Sequence, residues 1–337
     1  MQKIASLVKD KEFYMSLLEK RNYYKPFEFP WAFEAYEKQQ KMHWLPEEVP
    51  LHEDVKDWNK LSLEERGLLT QLFRFFTQAD LDIAGGYVDK YLKIFKAPEI
   101  RMMLLAFANM ESIHQHGYSL LLDTVGMPEL EYKAFLDYED MKSKHEYLSN
   151  TKIDSYSDIA RTLAIYSAFG EGLQLFSSFA ILLNFPRQNK MKGMGQIVTW
   201  SQRDEDLHVE SMIKLFHSFL DEHPKIWTNS LKRDIYTACV DMVNLEDKFI
   251  DLAFMQGGVS GLSSTEIKQY IRFIADKRLL QLGLKPNYGV KSNPLDWLDY
   301  LTNGVEHANF FETRSTEYSK VAWTGSWENV WKSIDSL

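Results

Sequence analysis

The chain has 337 residues, of which 45% are hydrophobic and 26% charged, with a formal net charge of -9. This is globular composition with material for one large domain or two modest ones, and the acidic balance argues against a nucleic-acid-binding surface. A single cysteine, Cys239, excludes intrachain disulfides and cysteine-rich metal sites.

Hydrophobic periodicity predicts helices near residues 6–20, 62–94, 98–125, 128–147, 154–184, 190–220, 226–256, 264–281 and 294–303, and no strand of useful length. The stretch 1–61 reads differently: Tyr23, Tyr24, Pro26, Phe27, Phe29, Pro30 and Trp31 suggest an extended arm lying across a bundle. Ser62 with Glu65 forms a capping box at the start of the next helix, and Pro98 suits the first turn of another. Gly126-Met-Pro128 and Asn184-Phe-Pro186 mark breaks between helices. Cys239 falls in a helical run as a buried thiol. Beyond Phe311 no stripe organises the residues, and a mobile tail over 312–337 is expected. The N-terminus lacks an apolar signal core, and no run of ~20 uncharged apolar residues is seen. A cytoplasmic protein without a membrane span is therefore the expectation.

One pattern occurs twice. Asp80 is followed 31 residues later by Glu111-Ser-Ile-His114, and Glu171 is followed 34 residues later by Glu205-Asp-Leu-His208. A lone Glu-x-x-His is weak evidence, since chance gives roughly 0.7 in such a composition. Here both matches fall in predicted helices, each after an isolated inward acid. Four carboxylates and two imidazoles supply what two neighbouring divalent ions need. One acid on each of two helices and a Glu-x-x-His on each of two others is the known ligand arrangement of dimetal carboxylate bundles. Glu111, His114 and Tyr118, at offsets 0, 3 and 7, share a helix face. Asp82, about 200° round the helix from Asp80, reads as a surface acid.

At these residues the chain resembles the radical-generating small (beta) subunit of class I ribonucleotide reductase. The likeness runs from about Trp44 to Tyr318 through Trp44-Leu-Pro-Glu-Glu, Phe75-Phe-Thr-Gln-Ala-Asp80, Glu111-Ser-Ile-His114 with Tyr118, Glu171-Gly-Leu-Gln-Leu-Phe-Ser-Ser-Phe-Ala, Arg203-Asp-Glu-Asp-Leu-His208 and Asn309-Phe-Phe-Glu. The resemblance implies an all-α, ferritin-like bundle at 62–311 with additional helices, an N-terminal arm at 1–61 and a flexible tail at 312–337. It implies two metal ions per chain, iron or manganese with iron the first expectation, held by Asp80, Glu111, His114, Glu171, Glu205 and His208. Tyr118 matches the radical tyrosine, with a manganese site that stores the oxidising equivalent on the metals as the alternative; Trp44 and Asp204 match the internal electron route, and Tyr318 the tail relay. A homodimer is implied, its surface including the helices of the first Glu-x-x-His half. So is a large-subunit partner that docks on the extreme C-terminus and carries out ribonucleotide reduction. An apolar lining of Phe107, Leu175 and Phe179 would shield Tyr118. Ser201 and Gln174 depart from the usual pattern and would alter the pocket around Tyr118 or the water near the metals. The competing readings are a stand-alone dimetal oxidase on the same fold, which the aspartate at position 80 disfavours, and a ferritin-like storage bundle.

Overall fold

In the computed structural model, which describes residues 16–255 and 257–299, helices replace much of the expected extended arm. α1 (Pro30–Met42) opens with Pro30 in its first turn, where the missing N–H has no partner to lose. Its good helix formers outweigh the aromatic, proline-rich approach, and Ala32, Ala35 and Gln39 form its buried face. α2 (His52–Trp58) follows after a 3-10 turn. Both pack against the bundle, α1 on the helix carrying the first Glu-x-x-His. Residues 16–20 form a turn rather than the end of a helix, and the rest of the 6–20 prediction lies outside the described residues.

α3 (Leu63–Gly85) starts on the Ser62–Glu65 capping box and runs into a π-helical segment, Gly86–Tyr91. α4 (Pro98–Thr124) has Pro98 in its first turn. It ends because Gly126, at φ 76°, takes the left-handed position. Met127 N–H then reaches Leu122 O at 3.0 Å and Gly126 N–H reaches Asp123 O at 3.1 Å, a Schellman ending. The helix expected at 128–147 is two 3-10 turns followed by α5 (Glu139–Ser149). Tertiary contacts override propensity there: Arg74 of α3 holds Glu131 at 2.6 Å and the Tyr138 hydroxyl at 2.8 Å.

α6 (Tyr156–Arg187) contains a second π segment, Ala164–Gln174. By length and composition it could cross a membrane, contrary to the sequence expectation, but its apolar window is entirely buried as the core helix of the bundle. The break expected at Pro186 does not occur there. Pro186 sits inside the last turn, and the chain turns instead at Asn189 and Met191, both with positive φ. α7 (Lys192–Glu222), α8 (Asn229–Phe254) and α9 (Ser264–Gln281) complete the set. Asp54 of α2 caps α7 by accepting from Gly193 and Met194 N–H at 2.9 and 2.6 Å. Of the helix expected at 294–303, residues 296–299 are helical, 294 and 295 are not, and 300–303 lie outside the described residues. Among the described residues there is no strand, only an isolated bridge between Val259 and Leu262.

The π segment of α6 misaligns backbone groups in a dry interior, and two buried cations meet them. Arg278 Nε donates to Gly172 O at 2.8 Å, and Lys144 Nζ donates to Gln174 O at 3.2 Å. Pairing freed carbonyls in this way is what lets such a segment persist inside a core.

Candidate metal centre

Four helices converge on one point. α3 brings Asp80, α4 brings Glu111 and His114, the π segment of α6 brings Glu171, and α7 brings Glu205 and His208. All six side chains are at most 1% exposed. They form two overlapping groups, Asp80-Glu111-His114-Glu205 and Glu111-Glu171-Glu205-His208, in each of which one donor atom per residue lies within 4.8 Å of every other. Glu111 and Glu205 belong to both groups.

Both imidazoles are oriented alike. His114 Nδ1 faces Glu205 at 3.3 Å and Glu111 at 3.6 Å, and His208 Nδ1 faces Glu111 at 3.1 Å. The outer nitrogens are engaged elsewhere: His114 Nε2 lies 3.2 Å from Asp204 Oδ2, and His208 Nε2 lies 3.1 Å from Gln39 Oε1. Partners on the outer nitrogens fix ring tautomer and orientation, leaving Nδ1 as the free donor. The rings are stacked at 27° with centroids 6.4 Å apart.

The inward donor atoms are buried without hydrogen-bond partners: Asp80 Oδ2, both oxygens of Glu111 and of Glu205, and Nδ1 of both histidines. Such groups are costly in an apolar interior unless positive charge compensates them. Burial pushes the Asp80 carboxyl well above its usual range. Burial also raises Glu171, to about 8, against the opposing pull of His208. Burial resists ionisation of Glu111 too, but there His114 and His208 outweigh it and hold the carboxyl below its usual value. Burial disfavours the charged imidazoles, yet the surrounding carboxylates raise both well above the ordinary histidine range. A site this hungry for positive charge, lined by oxygen donors and one nitrogen per group, fits two divalent cations.

Tyr118 is 1% exposed. Its hydroxyl makes no hydrogen bond of normal geometry, to Asp80 or any other group. Burial, reinforced by the Asp80 charge, pushes its ionisation well above the ordinary phenol range. Ser201 is buried beside it and opposes that rise. Phe76 stands edge-on to Tyr118 at 4.8 Å, and Phe179 packs on Phe76 at 5.5 Å. Phe107 instead lies over His208 at 4.2 Å, so it lines the other half of the site. Gln174 is buried outside the six-residue cluster and lines a small cavity with Phe75, Asp82, Lys144 and His145. Asp82 is no free surface acid: it pairs with His145 Nδ1 at 2.7 Å and Gln78 Nε2 at 2.8 Å.

Trp44 and Asp204 are brought together. Trp44 Nε1 donates to Asp204 Oδ2 at 2.8 Å, and the indole stacks near His114 at 6.0 Å and beside Trp200 at 5.3 Å. Tyr318 and the tail at 312–337 lie outside the described residues. Two residues at the site went unnoticed in the sequence. Gln39 accepts from His208 and donates to Asp204 Oδ1 at 3.3 Å, linking the outer partners of both histidines. It came from the stretch read as an extended arm, where nothing marked it. Tyr87 donates to Glu171 Oε1. Its signal was a spacing: it follows Asp80 by seven residues, as Tyr118 follows Glu111.

Fold and site together define a dimetal carboxylate helical bundle. Residues 21–294 match the family model of the ribonucleotide reductase small chain. The probable ribonucleoside-diphosphate reductase small subunit of Invertebrate iridescent virus 6 is 43% identical, over 94% of this chain and 99% of its own length. The same fold is seen in the ribonucleotide reductase R2 subunit from Clostridium botulinum, with a TM-score of 0.76 and 24% identity over 82% of this chain and 89% of that one. It is also seen in the dimanganese(II)-NrdF of Streptococcus sanguinis, with a TM-score of 0.74 and 22% identity over 85% and 99%. The chain belongs to the ribonucleotide reductase small-chain family. As such it is the small subunit of a class I ribonucleoside-diphosphate reductase, an oxidoreductase component that functions with a large-subunit partner. The reading as a stand-alone oxidase is not favoured.

Proposed function

We propose that Asp80, Glu111, His114, Glu171, Glu205 and His208 hold two metal ions, iron or manganese, and that Tyr118 stores an oxidising equivalent generated there. Trp44 and Tyr318 then pass it to the large subunit, where ribonucleoside diphosphates become deoxyribonucleotides. The observation that carries this reading is the pair of overlapping donor groups that share Glu111 and Glu205. The bound ions would supply the oxidising power, which oxygen-rich sites can draw from either metal. The dimanganese centre of the Streptococcus relative keeps manganese beside iron as an occupant.

The remaining roles belong to the chain itself. Asp204 orients the His114 ring through Nε2 while accepting the Trp44 N–H, which places the indole in electronic contact with a metal-binding imidazole. Gln39 orients His208 in the same manner. Phe76 and Phe179 keep water from Tyr118. The C-terminal residues, including Tyr318, dock on the large subunit, a homodimer forms through the α3 and α4 side of the bundle, and the protein acts in the cytoplasm. Nucleotide reduction by the metal-loaded chain mixed with its large subunit tests the reading. Tyr318→Phe should abolish turnover while metal content and large-subunit binding persist. Full turnover by that variant would remove Tyr318 from the route.

A further inference from the structure

Two buried tyrosines flank the six-residue cluster from opposite halves. Tyr118 lies by Asp80 and makes no hydrogen bond to it. Tyr87, also 1% exposed, donates its hydroxyl proton to Glu171 Oε1. Its ring stands edge-on to His208 at 6.1 Å and to Phe107 at 6.0 Å. Tyr87 therefore touches only the half of the cluster that contains Glu171 and His208.

The backbone aims it there. Tyr87 sits on the π segment Gly86–Tyr91, and Glu171 on the π segment Ala164–Gln174. The two segments meet closely: a Cβ at Gly86 would lie 2.5 Å from the Tyr166 ring, so only glycine permits this approach. A second tie reaches the α-helical turn just before Ala164, where the Tyr91 hydroxyl donates to Thr162 O at 3.2 Å. Helical irregularities of this kind concentrate at functional sites, and here the pair presents a donor to a single carboxylate.

We propose that Tyr87 is a positioning residue that fixes the Glu171 carboxylate for the ion held by His208. This rests on the dimetal reading above. Glu171 Oε1, which accepts the tyrosine proton, lies 3.7 Å from His208 Nδ1, so the bond sets how the carboxylate faces its neighbouring ligand. The terminal torsion of a glutamate is otherwise broad. Without the hydroxyl, ordering the carboxylate becomes part of the cost of binding the ion. Partners that orient a metal ligand are typically worth about 10- to 100-fold in affinity. The effect is one-sided, because Tyr118 makes no corresponding bond to Asp80.

The test is a titration of the metal-free full-length protein with Mn(II), following free Mn(II) by electron paramagnetic resonance, with circular dichroism as a folding check. Wild type takes two ions per chain. Tyr87→Phe keeps the tighter affinity or the weaker one unchanged, whichever belongs to the Asp80 group, and loses about 10- to 100-fold in the other. Gly86→Ala keeps the hydroxyl but displaces its backbone from Tyr166, and should reproduce the one-sided loss. Unchanged affinities in Tyr87→Phe, or an equal loss for both ions in either variant, overturns the assignment, since a general packing defect has no reason to select one ion. A wild type that does not take two ions overturns the dimetal reading itself, before any variant is compared.

Discussion

Trp44 Nε1 donates a 2.8 Å hydrogen bond to Asp204 Oδ2, and through that bond the segment after α1 is fastened to the helix that carries Glu205 and His208. The same oxygen lies 3.2 Å from His114 Nε2, so a single carboxylate serves the indole and the imidazole together. Trp44→Phe keeps an aromatic ring but loses the N–H and the readily oxidised indole. Metal content should stay at two ions per chain while nucleotide reduction with the large subunit falls at least about 10-fold, the lower range for loss of an orienting partner at a metal site. Metal counting beside a turnover assay checks this, and undiminished turnover would make Trp44 a packing residue.

The Lys144–Glu246 pair is fully buried at 2.6 Å between α5 and α8. The Lys144 ammonium also lies 3.7 Å from the centroid of Phe75 and 4.2 Å from that of Phe249, and Ser177 donates to Glu246. Burial lowers the lysine and raises the glutamate, each opposed by its partner. Lys144→Ala strands a carboxylate and frees Gln174 O in the π segment, and should cost about 3–5 kcal/mol of stability. Lys144→Met with Glu246→Leu should recover most of that loss. Denaturant unfolding of the three proteins decides it; a single variant as stable as wild type would show that the pair contributes nothing.

Much of the site was legible because its chemistry is written in local spacing. Glu111-x-x-His114 and Glu205-x-x-His208 each lie on a continuous α-helix, so a count of residues is enough to place both side chains on one face. Glu171 was legible by its isolation in an apolar run. Tyr87 carried a spacing signal, seven residues after Asp80, but that count does not say which carboxylate it reaches once the backbone turns π-helical at Gly86. Spacing also failed where a contact depends on a distant segment, as with Gln39 and the Phe107 ring. The helix breaks were legible at Gly126, where a positive φ ends α4, and misplaced at Pro186, since the chain turns a few residues later at Asn189 and Met191. The 128–147 stretch was misread because Arg74, more than fifty residues away, determines its path.

Glu99, at the start of α4, clamps the N-terminal segment: it pairs with Arg21 and accepts from the backbone N–H groups of Glu28 and Phe29 at 2.9 and 3.0 Å. Burial resists its ionisation, but Arg21, the N–H of Glu99 itself and that of Phe29 outweigh burial and hold the carboxyl below its ordinary 4.5. A carboxyl depressed in the folded state adds stability that is present above the unfolded value and lost as pH falls through the folded value. Wild type should therefore lose stability more steeply than Glu99→Gln as pH drops below about 4.5, with the gap between them narrowing. Thermal unfolding from pH 6 to pH 3 measures the gap, and a constant difference across that range would contradict the clamp.

The most direct measurement is to load the metal-free chain separately with Fe(II) and with Mn(II), add an oxidant, and record metal counts beside electron paramagnetic resonance spectra for wild type and Tyr118→Phe. Two ions per chain in both proteins, with a tyrosyl signal in wild type that vanishes in Tyr118→Phe, is the predicted result. Fewer than two ions, or an oxidised signal identical in both proteins, would contradict the account, the first by removing the dimetal centre and the second by placing the oxidising equivalent somewhere other than Tyr118.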